Sequence, residues 1–136
     1  MLKPGGTISI LDYNHEALEW MPEPPASMQT FYNTFLKWRK DAGMNNRIGD
    51  DLPDLLKEVG FHSVQRINSD EFYNAEREDF KSRVGIWSKV AASTQMVEEG
   101  YLDDSLRLKA IEEYNSWVEN ECISMTMKLN EVRGIL

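Results

Sequence analysis

Four polar residues follow a short apolar run near the start of the chain. They are Asp12, Tyr13, Asn14 and His15. The run before them, residues 7–11, is β-branched and apolar, which predicts a strand that is buried on at least one face. Ligands of open α/β sheets bind beyond the carboxyl ends of the strands. We therefore expect these side chains to border a substrate pocket, where Asp12 or His15 positions the substrate or takes its proton. The alternative is that Asp12 caps a turn and His15 is solvated.

A dense aromatic group follows at the spacing of a helix. Its members are Trp20, Phe31, Tyr32, Phe35 and Trp38. Such rings could line an apolar substrate or contact a cation, although three- and four-residue spacing favours a packed core. Trp20 and Tyr32 are therefore candidate pocket residues. Arg39 is a further candidate, because a guanidinium could pair with a substrate carboxylate or phosphate, or could form an ordinary ion pair.

Composition limits the classes of function. The chain has 136 residues with 41% apolar and 28% charged side chains, which is typical of one globular domain. Its net charge of −8 argues against a nucleic-acid or anionic-membrane partner. The single cysteine, Cys122, allows no disulfide within the chain and suits a reducing compartment, so a cytoplasmic location is expected. His15 and His62 show no metal-ligand spacing, and no metal is predicted.

The hydrophobic pattern predicts an alternation of strands and helices. Lys3-Pro4-Gly5-Gly6 predicts a type II turn with Gly5 at positive φ. The predicted strands are 7–11, 62–67 and the alternating segment 123–129, and the predicted helices lie at about 27–43, 51–59, 74–100 and 104–121. Ser27, Asn74 and Asp103 or Asp104 are the expected N-caps, and Pro53 is expected in the first turn of its helix. The order predicts an α/β fold whose three-stranded sheet is thin for its helices.

Two motifs resemble segments of class I S-adenosylmethionine-dependent methyltransferases. Leu2-Lys3-Pro4-Gly5-Gly6, followed by an apolar strand and Asp12, is similar to the turn that leads into the fifth strand of that doubly wound sheet. The segment 55–61, Leu-Leu-Lys-Glu-Val-Gly-Phe, resembles the helix that follows, and segment 123–129 resembles the last, antiparallel strand. Trp38-Arg39 with Gly43-Met44 and Asn46 looks like a bacterial subgroup that has a helical lid.

The resemblance implies a partial Rossmann-like sheet of the last three strands, with several inserted helices. Residues 1–136 would form one partial domain, the C-terminal half of a methyltransferase, with helical insertions or a lid at 16–47 and 74–121. Met1 is expected to be an internal start, because it falls where the family chain is already mid-domain. The resemblance also implies that the parent enzyme uses S-adenosylmethionine and methylates a small molecule.

The cofactor motif of that family has no counterpart in the sequence. The family's Gly-rich loop follows the first strand and lets the backbone approach the cofactor closely. Only Gly5 and Gly6 lie close together here, and they precede a strand rather than follow one. The chain is therefore expected to bind no cofactor itself and to be inactive alone.

Two other interpretations remain open. The chain could be a non-catalytic interaction or dimerisation module with a methyltransferase-like half-fold, or a small binding domain with a chance resemblance. Because the family's fourth strand has no counterpart, strand 7–11 is expected to expose an unpaired edge. That edge predicts a homo-oligomer.

Overall fold

The computed structural model describes residues 2–136, and Met1, the expected internal start, lies outside them. The chain folds into strands and helices that alternate as an α/β protein. The strands are β1 (Thr7–Met21), β2 (His62–Asn68), β3 (Glu71–Asn74) and β4 (Ser124–Ile135). The helices are α1 (Ala26–Asp41), α2 (Ile48–Glu58), α3 (Phe80–Val84), α4 (Ile86–Ala91), α5 (Gln95–Glu98) and α6 (Asp104–Asn120).

The last strand lies in the middle of the sheet. The strand order is β1-β4-β2, and β3 also pairs with β4. β4 runs antiparallel to β2, with Asn68 opposite Asn130 and Arg66 opposite Val132. Hydrogen bonds at Gly5 and Gly6 join the entry of β1 to Leu136, just after β4 ends. The expected antiparallel final strand is thus confirmed, and β1 lies at the end of this strand order.

The chain is divided into two compact units. The first unit contains the residues up to Leu18 together with Asn45–Glu71 and Met127–Leu136, and the second contains Glu19–Met44 and Phe72–Thr126. In the first unit, α2 packs on one face of the sheet. Leu52, Leu56 and Val132 form its buried core, and partly buried Ile8, Ile10, Ile48, Phe61 and Val64 surround them. Amphipathic α2 thus covers the apolar stripes of three strands.

The second unit is a helical layer built on aromatic side chains. α6 packs against α1 and α4. The buried residues of this second unit include Met28, Phe31, Trp87, Tyr114 and Trp117. Burial raises the pKa of the half-buried Cys122 thiol to about 11, although a backbone hydrogen bond at Ser124 acts in the opposite direction. This agrees with a structural rather than a nucleophilic cysteine.

Several local predictions are confirmed. Gly5 has a φ of +83° in a turn that the Gly6 N–H closes on the Lys3 carbonyl at 2.8 Å. Gly60 has a φ of +107° directly after the end of α2. Asp103 is the N-cap residue of α6, as expected.

Two predictions about element ends were wrong. The first strand does not stop at Leu11 but continues to Met21, so Asp12–His15 lie within β1 rather than beyond it. The strand tolerates this polar stretch because the buried Asn14 amide finds a side-chain partner in Asp50. Ser27 does not cap α1, since Pro25 is the N-cap residue and the Ser27 hydroxyl donates to Glu113 at 2.7 Å.

Two helix predictions also need correction. Pro53 lies in the second turn of α2, because that helix begins at Ile48. The predicted helix 74–100 is instead three short helices, α3, α4 and α5, and β3 before them adds a fourth strand to the predicted three. Asn74 ends β3, and its side chain accepts the Glu76 N–H at 3.1 Å in a turn. Gly85 then separates α3 from α4.

Candidate functional site

A polar pocket of about 220 Å³ lies in the first unit, at the carboxyl end of β2 and the first turn of α2. Its lining residues come from β1, α2, β2, β4 and the turn after β2. They are Asn14, Ala17, Asp50, Arg66, Asn68, Asp70, Lys128 and Asn130. The side of the sheet that α2 covers is thus apolar where it contacts Leu52 and Leu56, and polar at this end. A concave site with convergent polar groups is the usual form of a small-molecule site.

The carboxylate of Asp50 is held by two side-chain amides. Asn14 Nδ2 donates to Asp50 Oδ2 at 2.6 Å, and Asn130 Nδ2 donates to Asp50 Oδ1 at 2.9 Å. Both asparagines are buried, each 8% exposed, so the carboxylate is fixed from β1 and from β4 together. A carboxylate positioned in this way is a preorganised hydrogen-bond acceptor.

Pro53 explains a second bond that Asn130 makes. A proline in a helix has no N–H for the carbonyl four residues earlier, which in α2 is the Gly49 carbonyl. Asn130 Nδ2 donates to that oxygen at 3.0 Å. Gly49 itself must be glycine, since a Cβ there would lie 2.6 Å from the Asp12 carbonyl oxygen. The close approach of α2 to β1 brings Asp50 within reach of Asn14.

An ion pair forms another wall of the pocket. Lys128 Nζ lies 3.2 Å from Asp70 Oδ2, and the Leu129 N–H donates to Asp70 Oδ1 at 3.1 Å. Burial disfavours the charged form of Asp70, but the hydrogen bonds from Leu129 and Lys128 outweigh it and lower the pKa. Asp70 is therefore a stable anion that neutralises Lys128.

The remaining polar groups of the pocket come from β2. Arg66 and Asn68 share one face of that strand, because side chains alternate along a strand. Asn68 Oδ1 accepts the Asp70 N–H at 3.0 Å. Arg66 is exposed, and it forms no ion pair of 4.0 Å or less with residues 2–136.

Three of the four residues predicted near the first strand, Asp12, Tyr13 and His15, do not line the pocket. Asp12 Oδ1 accepts the N–H of Tyr13 at 2.8 Å. The Tyr13 hydroxyl donates to Glu71 Oε1 at 2.5 Å, and its ring stacks on His15 at 5.5 Å between centroids. Of the predicted stretch only Asn14 lines the pocket, and substrate roles for Asp12, Tyr13 and His15 stay predictions.

The other three predicted site residues belong to the second unit. Trp20 Nε1 donates to the Tyr114 hydroxyl at 2.9 Å, and its ring meets Tyr32 edge-on at 5.3 Å. Burial raises the pKa of the Tyr32 hydroxyl well above its usual range, so this phenol stays protonated. The guanidinium of Arg39 lies 5.7 Å from the centre of the Phe35 ring. These contacts are those of a packed aromatic cluster, and a substrate role for Trp20, Tyr32 or Arg39 stays a prediction.

Sequence patterns did not point to most of the pocket residues. Asp50, Asp70 and Lys128 are ordinary surface residue types, and they converge only through strand register and the position of α2. Asn130 gave no signal either, because it falls on the polar phase of the alternation that runs from Ile123 to Leu129.

Two kinds of site are not found in residues 2–136. No group of three or more His, Cys, Asp or Glu side chains is placed to hold a metal ion in this part of the chain. Within the same residues, no helix is both long enough and apolar enough to cross a membrane.

A comparison with solved structures finds several matching chains. No protein-family model matches the sequence, and a comparison with curated proteins finds no match. One of the structural neighbours is phosphoethanolamine N-methyltransferase 2 of Haemonchus contortus, solved with phosphomonomethylethanolamine and S-adenosylhomocysteine. It is 12% identical with a TM-score of 0.36, and the match covers 98% of this chain and 27% of that chain. The chain thus spans about a quarter of its neighbour, and a likeness at this score does not define its activity.

Proposed function

We propose that this chain is the C-terminal, substrate-side portion of an S-adenosylmethionine-dependent methyltransferase that acts on a small molecule. The observation that carries the proposal is the polar pocket at the carboxyl end of β2, where open α/β sheets bind ligands. It occurs in a chain whose Leu2–Gly6 turn and 55–61 helix motif resemble that family. The antiparallel pairing of β4 with β2 agrees with the family's last strand.

The pocket side chains suit the demands of methyl transfer. The reaction depends mainly on holding the acceptor atom in line with the methyl group and on excluding water. The anchored Asp50 carboxylate can accept an N–H or O–H of the acceptor and fix its orientation. In this proposal Asp12, Tyr13 and His15 border the same site, and segments 16–47 and 74–121 supply the lid. Trp20, Tyr32 and Arg39 are the lid's candidate substrate contacts.

The cofactor is proposed to bind elsewhere in the complete enzyme. The sequence contains no Gly-rich loop after a strand, and its only neighbouring glycines, Gly5 and Gly6, form the turn before β1. The chain alone should therefore not bind S-adenosylmethionine or S-adenosylhomocysteine. Isothermal titration with both compounds tests this, and a longer form that contains a Gly-rich cofactor loop is the positive control.

A second candidate function is a non-catalytic module that self-associates. The observation in its favour is the position of β1 at the end of the strand order, with Leu11 59% exposed. Edge strands with exposed apolar side chains recruit a second chain. Part of this edge is already used, because the His15 N–H donates to the Asn46 carbonyl at 2.7 Å. The free stretch is therefore residues 7–11, and a second copy of the chain is the proposed partner.

A further inference from the structure

The polar pocket contains two opposite charges that the protein does not neutralise. Four of its lining residues are charged: Asp50, Arg66, Asp70 and Lys128. Asp70 and Lys128 pair with each other at 3.2 Å. Among residues 2–136, Asp50 and Arg66 make no ion pair with any partner, including each other. An anion and a cation therefore face one small cavity with their charges uncompensated.

The anionic end is fixed in place before any ligand arrives. The two oxygens of Asp50 accept amide N–H groups from Asn14 and Asn130, at 2.6 and 2.9 Å. These donors are neutral, so they orient the carboxylate without cancelling its charge. A half-buried carboxylate in this state attracts a cation more strongly than a solvated one does, because the surroundings screen the charge less.

The cationic end is a guanidinium on the neighbouring strand. Arg66 lies opposite Val132 in the register of β2 and β4, two residues before Asn68. A guanidinium binds carboxylate or phosphate oxygens through two parallel N–H bonds, which gives direction as well as charge. Lys128 cannot replace it, because its charge is already engaged by Asp70.

We propose that this pocket binds a small zwitterion, with its ammonium group at Asp50 and its oxyanion at Arg66. A cavity of about 220 Å³ has room for a molecule of amino-acid size. The balanced charges of the lining disfavour a ligand with a large net charge of either sign. The inference rests on the proposed function, since the zwitterion is then the acceptor that the complete methyltransferase modifies.

Side-chain NMR of the labelled chain tests the proposal directly. The Nε–H of Arg66 and the amide groups of Asn14 and Asn130 report the two ends of the pocket separately. Glycine, β-alanine and aminomethylphosphonate are the zwitterions to titrate, and the last of these separates a phosphate-type from a carboxylate-type anion. Acetate and ethylamine each supply only one of the two charges. All three reporters should shift saturably with a zwitterion, at a Kd at least about tenfold below that of either half-ligand.

A matched pair of arginine variants locates the anion. Arg66→Gln is an exposed change that leaves the fold intact, which the backbone spectrum verifies, and it should weaken zwitterion binding by at least about tenfold. Arg133→Gln is the control, because Arg133 lies on the same sheet but outside the pocket and pairs with Glu131 at 2.9 Å. It should leave zwitterion binding unchanged.

The outcomes separate this inference from the function on which it rests. Equal binding of acetate and glycine, or full affinity in Arg66→Gln, overturns the zwitterion assignment. Saturable binding of a neutral polyol or nucleoside, with no response to zwitterions, also overturns the zwitterion assignment. That result does not contradict the proposed function. Arg66-dependent zwitterion binding without methylation by a cofactor-containing longer form supports the ligand class and overturns the methyltransferase proposal.

Discussion

The side-chain amide of Asn130 donates to the Gly49 carbonyl at 3.0 Å, which is the acceptor that Pro53 leaves open inside α2. The same amide donates to Asp50 Oδ1 at 2.9 Å. One buried side chain on the last strand therefore compensates a helix defect and positions the pocket carboxylate. Because both tasks use the same group, the stability of α2 and the geometry of the pocket should depend on each other.

A double-mutant cycle measures this dependence. Asn130→Ala leaves the Gly49 carbonyl and the Asp50 carboxylate without this donor, and should lower the free energy of unfolding by about 1–3 kcal/mol. Pro53→Ala returns a helical N–H to Gly49, so in that background the cost of Asn130→Ala should fall by about 1 kcal/mol. Urea denaturation gives all four stabilities.

Asn14→Ala is the control for this cycle. Asn14 donates to Asp50 but not to Gly49, so the cost of its removal should be the same with Pro53 or with alanine at that position. Additivity of Asn130→Ala and Pro53→Ala within about 0.3 kcal/mol would contradict the assigned role of Asn130.

Asp70 should make stability depend on acid pH. Its pKa is lower in the folded protein than in the unfolded chain, where an aspartate titrates near pH 4. The carboxylate therefore contributes stability above about pH 4, and this contribution is lost as the pH falls through the lowered folded pKa. Denaturant unfolding between about pH 6 and pH 2 should show a weaker acid dependence in Asp70→Asn than in the wild type.

Lys128→Gln refines the interpretation of that result. It removes the ion pair but keeps the Leu129 N–H bond to Asp70, so it should retain part of the acid dependence. Superimposable pH profiles for the wild type and Asp70→Asn would show that the Asp70 contacts contribute nothing to folding.

The hydroxyl of Tyr114 should matter to the second unit. Tyr114 is fully buried, donates to the Val84 carbonyl at 2.7 Å and accepts from Trp20 Nε1 at 2.9 Å. Tyr114→Phe leaves both partners unpaired and should cost about 1–3 kcal/mol in urea denaturation. Tyr101→Phe is the matched control, because that hydroxyl binds the exposed Asp41 and its loss should cost less than about 1 kcal/mol. Equal costs for the two variants would argue against the buried network.

Self-association is the prediction that follows from the edge position of β1. Light scattering coupled to size-exclusion chromatography should give a dimer at roughly tens of micromolar. Leu11→Lys should convert it to a monomer, because a charge on an edge strand opposes pairing. Leu108→Lys, at a residue of α6 that is 52% exposed, should leave the dimer intact. A wild-type monomer under these conditions rules out pairing through β1.

The presence of individual strands and helices was easier to predict from the sequence than the residues at which they begin and end. The alternation of Ile123, Met125, Met127 and Leu129 predicted β4, and the 55–61 motif predicted the end of α2. The polar stretch 12–15 suggested that β1 had ended, although pairing in the sheet carries this strand on to Met21. The apolar pattern of residues 74–100 also predicted one helix where the structure has three, although Gly85 lies at the break between α3 and α4.

The candidate site was less predictable for a related reason. Asn14 was found because it belongs to the polar stretch 12–15 that follows the apolar run 7–11, but Arg66 and Lys128 carry no local signal. Their proximity depends on the register of β2 with β4, which sequence periodicity does not define. Long-range register thus determines the pocket, whereas local patterns determine only the strands that form it.

Titration calorimetry with S-adenosylmethionine and S-adenosylhomocysteine tests the central claim most directly. The chain is proposed to be the substrate side of a methyltransferase, with a polar pocket at Asp50 and no Gly-rich cofactor loop. We therefore expect no heat of binding for either compound up to about 1 mM, the weak limit of specific recognition. A Kd in the micromolar range would contradict this claim, because the cofactor site would then have to be formed by residues that we assign to packing or to the substrate pocket.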